Sequence, residues 1–267
     1  MNSPASDTRP LRLYTFTLSH FSEKIRWALT TAGIAFEEVP WTPPFHIFSA
    51  RRRGKGTTVP ILESADGCVQ DSTRILLWLE QHRAPFSLLP AAPAEREAAL
   101  AVEERFDKVG EHVVRFVYSR TLDDAESVVR YWTTDASPGD RRRVKRAFPI
   151  ARWVFRRKLG MSAERVTRST AAIEASLGWI EARLASGAGY LAGDRFTVAD
   201  VTAAALLAPL ACPEQHPIYG SARYRAGVGP LVADWQGRPA LAWVRDTYER
   251  HRGDFPRAAA IRQIVDA

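Results

Sequence analysis

Up to about residue 82 the hydrophobic pattern changes period every few positions. Residues 11–16 alternate, with Leu11, Leu13 and Thr15 on one side, and predict a strand. Phe21, Ile25, Ala28, Leu29 and Ala32 then recur at helical spacing. Ser19 stands where a helix N-cap belongs and Gly33 where a helix stops. Residues 36–41 predict a second strand, which the Pro43–Pro44 pair breaks. Residues 42–57 read as an irregular excursion with one short helix around 48–53. A third strand over 60–63, a turn at Ala65-Asp66-Gly67 and a fourth strand over 68–70 form a hairpin pattern. Asp71 or Ser72 caps the following helix, whose buried stripe holds Ile75, Leu76 and Leu79. The order β-α-β, excursion, β-β-α predicts a small mixed sheet flanked by helices.

Beyond Pro85 the strand signal vanishes. Residues 86–95 contain prolines and no clear core pattern, so they read as a linker. Leu100, Phe106, Val109, Val113 and Val117 then recur near helical spacing, as do Ile173, Leu177, Ile180 and Leu184. Residues 198–210 are apolar nearly all round, the pattern of a helix buried on every side. In front of them Thr197 and Asp200 have the spacing of a capping box, with Asp where Glu is usual; a structural cap, not catalysis, is the expected role of Asp200. Pro239 opens another helix through Leu241, Val244 and Tyr248, whereas 123–140 and 211–234 read as loops with short helices. Mixed elements followed by a purely helical stretch predict two domains, α/β and then all-α.

The chain has 267 residues, 46% of them hydrophobic, so a sizeable core is expected and global disorder is not. The formal charge of +7 favours anionic partners. Its densest parts are Arg51–Arg53 with Lys55, and a long run from Arg141 to Lys158 interleaved with Trp153 and Phe155. These read as solvated faces. No zinc finger, RNA-binding signature or helix-turn-helix stands beside them, so a nucleic-acid partner is not expected. Cys68 and Cys212 lie far apart and lack metal-ligand spacing, which argues against a disulfide framework and against a metal site. No apolar run reaches the length of a membrane span, and the first residues lack an apolar targeting core. A soluble cytoplasmic protein with no membrane partner is expected.

The candidate chemistry lies where the first domain's elements end. Ser19 and Ser22 sit at the mouth of one helix, an extended run enters Pro60, and Asp71 and Ser72 open another helix. Together these surround space for one small anionic ligand, with a hydroxyl facing its reactive atom.

In order and spacing these pieces resemble the glutathione transferase superfamily over nearly the whole chain. "SHFS" at Ser19–Ser22 is similar to the family's first-helix motif in its serine form, with His20 where proline is common. "TVP" at Thr58–Pro60 looks like its cis-proline segment, Asp71–Ser72 like the acidic-Ser pair that holds the γ-glutamyl end of glutathione, and "GDRFTVAD" at Gly193–Asp200 like the cap of its buried helix. The resemblance implies a thioredoxin-like, glutathione-binding domain over residues 9–84, an all-helical bundle over 94–252, a tail over 253–267, and a homodimer.

It also implies roles. Lowering a thiol pKa by two units requires about 2.7 kcal/mol. A hydrogen bond from Ser19 to the thiolate contributes about 1.5–3 kcal/mol, and the helix dipole about 0.3–1 kcal/mol. Ser22 is the alternative donor; with no cysteine at either position, dithiol exchange is ruled out. Val59, extended before a cis Pro60, pairs with the cysteinyl backbone of glutathione. Ser72 receives the γ-glutamyl carboxylate, Asp71 its ammonium, and Lys55, with Arg52 or Arg53 as substitutes, the glycyl carboxylate. Phe16, Phe45, Phe116 and Tyr118 are candidates for a hydrophobic-substrate wall, with core packing as the competing role of each. The implied activity is transfer of glutathione to a small hydrophobic electrophile, without a metal. A glutathione-dependent lyase or isomerase, or a non-catalytic binding or scaffold protein, are the alternatives.

Overall fold

A computed structural model describes residues 10–83, 86–255 and 257–267. The expected domain limits at residues 9 and 84 lie outside the described residues. Strand β1 (Leu11–Thr15), helix α1 (His20–Thr31), strand β2 (Phe36–Pro40), helix α2 (His46–Arg53), strands β3 (Ile61–Ser64) and β4 (Gly67–Gln70) and helix α3 (Ser72–His82) form the first part. The sheet order is β2-β1-β3-β4, with β1 parallel to β2 and antiparallel to β3, and β3 antiparallel to β4. The mixed sheet is thus the thioredoxin-like one expected.

Side-chain alternation sorts its two faces. Leu11, Leu13 and Leu62 join Ile25, Leu29, Ile75 and Leu79 of α1 and α3 in the main core. Tyr14 and Ile61 point the other way and meet Ala50 of α2. The short helix begins at His46, two residues earlier than its expected core; its N-cap, Phe45, offers no side-chain acceptor.

Helices follow without further strands among the described residues: α4 (Pro93–Thr121), α5 (Ala125–Trp132), α6 (Pro138–Leu159), α7 (Ala163–Ala185), α8 (Val198–Ala211), α9 (Ala222–Val228), α10 (Ala233–Gln236), α11 (Pro239–His251) and α12 (Ala258–Asp266), with a 3-10 turn at Gly229–Val232. Helix α8 is buried along its whole length and packs on α1, α4 and α11. Its capping box is present. Asp200 accepts from the Leu191 and Thr197 amides at 2.8 and 2.9 Å. Burial pushes its carboxyl up to about 6, while those donors pull the other way.

Three stretches depart from the sequence expectations. Residues 86–89 connect two domains but are not free of core contacts. Phe86, Leu88 and Leu89 are buried, and the Leu88 carbonyl accepts from Val198 N at 2.9 Å, which docks the connection against the start of α8. A helix of 22 residues begins at Pro138, inside the stretch 123–140 that reads as a loop with short helices, and carries the whole basic run. Ser137 caps it by accepting from Asp140 N, and Gly160 ends it at φ 59°, a left-handed conformation that suits glycine. Its inner stripe, Val144, Phe148, Ala151 and Phe155, has helical spacing and closes on Leu122, Val128 and Trp132 as a small separate core. Pro149 and the arginines between these positions mask that stripe in the sequence. Finally, residues set apart as a tail carry α12, which buries Ile261 and Val265 against the helical core and packs on α5 and α9.

Gly110, in the middle of α4, leaves no room for a side chain beside Phe21 of α1 and Leu206 of α8. A β-carbon there would lie 2.9 Å from the Phe21 ring and 3.0 Å from Leu206. Gly110→Ala is therefore expected to lower stability by about 1–3 kcal/mol through overpacking, against about 1 kcal/mol gained in helix propensity. Denaturant unfolding gives the sign: a more stable variant would mean that the helices separate freely.

Candidate functional site

The end of β1, the segment before β3, the mouth of α3 and the inner faces of α4, α5 and α6 enclose a cavity of about 830 Å³. Ser19, Val59, Pro60, Asp71, Ser72, Phe16 and Tyr118 all line it, although they come from four different stretches of chain.

Ser19 is the N-cap of α1, and its Oγ accepts from Ser22 N at 3.2 Å. Among the described residues its hydroxyl hydrogen has no acceptor. Ser22 is different: it is fully buried, does not line the cavity, and its Oγ has no hydrogen-bond partner among the described residues. His20, in the place where the family's proline is common, turns inward. Its Nε2–H donates to the Gly110 carbonyl at 3.0 Å, and burial lowers its pKa to about 4, so the ring is neutral.

The Val59–Pro60 peptide is cis, as is Pro43–Pro44. Val59 precedes β3, and among the described residues neither its N–H nor its C=O takes part in the sheet ladder. Gln70 braces the loop beside it. Its Oε1 accepts from Gly56 N at 2.8 Å and its Nε2 donates to Thr58 O at 2.8 Å.

Asp71 caps α3, accepting from Arg74 N at 3.1 Å, with φ 93°, a region that L-residues rarely occupy. Such backbone costs on the order of 1–3 kcal/mol and collects where a binding site over-determines it. Next to it, Ser72 Oγ accepts from Lys24 Nζ at 3.2 Å and donates to Asp107 Oδ1 at 3.3 Å. Lys24 is fully buried and also pairs with Asp107 at 2.8 Å and with Glu103. Asp107, on α4, lines the cavity and brings a carboxylate to the mouth of α3. Sequence reasoning passed over it because only the packing of α4 on the first domain carries it there.

The other end of the cavity is aromatic. Phe16 meets His46 edge-on at 4.4 Å between ring centres. Tyr118 stands against Phe155 at 4.9 Å, and its hydroxyl accepts from Trp132 Nε1 at 2.9 Å. Burial pushes the Tyr118 phenol up to about 12, so it remains a neutral donor.

Besides Ser22, three expected residues stand elsewhere. Phe116 is buried in the core against Trp235. Phe45 is 49% exposed and does not line the cavity. Lys55 is exposed and also lies off the cavity, as do its substitutes Arg52 and Arg53. Arg53 instead lies over the Tyr14 ring. A different cation reaches the loop: Lys158, at the end of α6, lines the cavity mouth and donates to Thr57 Oγ1 at 3.0 Å. In sequence it is one of many cations in a basic run, with nothing to single it out.

Among the described residues no group of His, Cys, Asp and Glu could hold a metal ion, and no helix is long and apolar enough to cross a membrane.

The family model for the glutathione S-transferase N-terminal domain matches residues 13–87, and that for the C-terminal domain matches residues 163–242. A glutathione S-transferase of Pseudomonas putida is 34% identical over 89 residues, 32% of this chain; the match spans 39% of that relative's length. Among solved structures, a glutathione S-transferase of Methylobacterium radiotolerans in complex with glutathione sulfonate superposes with a TM-score of 0.61 at 26% identity, covering 94% of this chain and 93% of that one. One from Methylobacillus flagellatus with glutathione bound has a TM-score of 0.60 at 15% identity, covering 96% and 100%, a likeness of fold. Both halves of the chain match the same family in order, and the likeness in fold runs through nearly all of it: the chain belongs to the glutathione S-transferase superfamily.

Proposed function

We propose that this protein is a transferase that binds glutathione, holds its sulfur as the thiolate and directs it at a small hydrophobic electrophile. The observation that carries this reading is the convergence of Ser19, Val59 and Asp71–Ser72 on one cavity whose far end is apolar. The γ-glutamyl carboxylate is received by Ser72 and the first amides of α3, where unpaired N–H groups and the helix dipole favour an anion. Its ammonium lies between Asp71 and Asp107. The cysteinyl backbone pairs with Val59, a one-residue form of strand addition.

That alignment brings the sulfur to Ser19, whose hydroxyl donates to the thiolate. The thiol proton leaves to water. The sulfur lone pair forms the new S–C bond, and the leaving group departs with its electron pair on the side lined by Phe16 and Tyr118. Calorimetry with glutathione tests the reading: saturable binding below millimolar ligand is expected, and its absence would refute it. A homodimer belongs to the same reading and is checked by sedimentation equilibrium at micromolar protein. A cytoplasmic location does too.

The third end of the ligand follows from chain geometry. An extended peptide advances about 3.3 Å per residue. If its central residue pairs with Val59, its C-terminal carboxylate reaches the level of Thr57, where Lys158 Nζ stands. We therefore assign the glycyl carboxylate to Lys158 in preference to Lys55. Lys158→Met is expected to weaken glutathione binding about tenfold, or about 1.4 kcal/mol, whereas Lys55→Met leaves it unchanged. The wild-type protein should discriminate against the glycyl ester of glutathione and Lys158→Met should not; equal discrimination in both proteins would return the carboxylate to another cation.

A further inference from the structure

The exposed large hydrophobic residues among the described ones are Phe45, Phe48, Ile150, Trp153 and Val154. Single exposed apolar residues are ordinary on a protein surface, but five carried by two helices that border one cavity are not. These five belong to α2 with its cap and to α6. Both helices border the same cavity: Ile47 and Arg51 line it from α2, Ile150 and Val154 from α6, and Lys158 ties the end of α6 to Thr57.

Helix α6 is amphipathic twice over. Its inner stripe is consumed by the small core under it. Its outer stripe runs Arg146, Ile150, Trp153, Val154, Arg157, steps of four, three, one and three residues that keep to one exposed face. Ile150 is 72% and Trp153 60% exposed. The guanidinium of Arg157 lies over the Trp153 ring at 5.3 Å. Among the described residues Arg142, Lys145 and Arg146 form no ion pair, so the cations around this stripe are not neutralised within the chain.

We propose that the α2–α6 face docks on the surface of an anionic lipid bilayer and presents the mouth of the cavity to it. A helix that lies in the interface has these features: an apolar strip with Trp, a ring of Arg and Lys, and no need to span. The expectation of no membrane partner rested on the lack of a spanning segment, which is a different requirement. Arginines flanking the strip reach lipid phosphates while their stems stay against the apolar zone. Nucleic acid would use the same charges but has no place to bury Ile150, Val154 and Phe48. An apolar leaflet does. The position of Ile150 and Val154 on both the outer stripe and the cavity wall adds a functional reason: a hydrophobic compound dissolved in the leaflet reaches the cavity without crossing water.

Flotation of the full chain with vesicles tests this, using pure phosphatidylcholine against phosphatidylcholine mixed with phosphatidylglycerol. Binding to the anionic vesicles is expected to be at least about tenfold tighter than to the neutral ones and to weaken with salt. The pair Ile150→Asp with Trp153→Asp, and separately the pair Arg142→Glu with Arg146→Glu, should each abolish it while the unfolding midpoint stays unchanged. All four side chains stand on the outer side of the helix. No binding to either vesicle would overturn the proposal, as would equal binding to both. Full binding by the Asp pair would also overturn it and point to charge alone, an outcome checked with a DNA or RNA oligonucleotide. Conversion of a wild-type dimer to a monomer by the Asp pair would instead assign the face to a second copy of the chain. Because the readout is vesicle binding without glutathione, its failure leaves the transferase reading intact.

Discussion

Glu23→Ala is expected to cost about 3–5 kcal/mol of folding stability, the largest loss from any single side chain considered. Glu23 is fully buried on α1 and stands between two buried guanidiniums. Arg26, one turn along, donates to Glu23 Oε2 at 3.2 Å, and Arg252, just past α11, donates to Oε1 at 2.5 Å. Arg26 has a second carboxylate in Glu38 at 2.5 Å, but among the described residues Arg252 has no other, and its Nη1 is already without a hydrogen-bond partner. Removing Glu23 leaves Arg252 as an uncompensated buried charge. Removing one member of such a pair costs far more than replacing the whole pair with apolar groups would. Glu23→Gln keeps an acceptor without the charge and should fall between. The denaturant midpoint measures this, and an unchanged midpoint in Glu23→Ala would show that water or another carboxylate reaches Arg252. Helix α1 begins beside Ser19, so this ion cluster also anchors the element that carries the proposed catalytic hydroxyl.

Ser19→Ala is expected to lower the conjugation rate at least about tenfold, or about 1.4 kcal/mol in the barrier, with a smaller change in glutathione affinity. The hydroxyl would act on the thiolate, and its loss should also raise the pKa of the bound thiol. Ser22→Ala should behave oppositely despite being one turn away. Its Oγ is sealed from the cavity and lacks a partner, so deleting it removes an unsatisfied buried polar atom. The rate should be unchanged and the stability equal or slightly higher. Rates and thiol titration for the two variants decide the matter. A fall in Ser22→Ala with no fall in Ser19→Ala would move the chemistry to the second serine.

What the sequence determined by itself was whatever depends on neighbours in the chain. Alternation at Leu11, Leu13 and Thr15 assigns these side chains to one face of a strand, because the backbone period is two. The apolar run at 198–210 and its Thr197–Asp200 cap specify a buried helix and its first turn, because both act over three or four residues. The pieces at Ser19, Val59–Pro60 and Asp71–Ser72 were legible for the same reason: each is a local start or stop, and their order follows the chain.

The tertiary structure decided what depends on which surfaces meet. Phe116 and Tyr118 are equally plausible as wall residues in sequence. Two positions apart on a helix they point to different sides, so packing sends one to Trp235 and the other to the cavity. Lys24, Ser72 and Asp107 join across α1, α3 and α4, and Glu23 meets Arg252 across 229 positions, contacts with no local signature. Helix α6 shows the limit most plainly. Its inner stripe at Val144, Phe148, Ala151 and Phe155 was present in the letters but lay beneath arginines, a proline and a second apolar stripe. Only burial of one stripe and exposure of the other distinguishes the face that holds α6 to the protein from the face it turns outward.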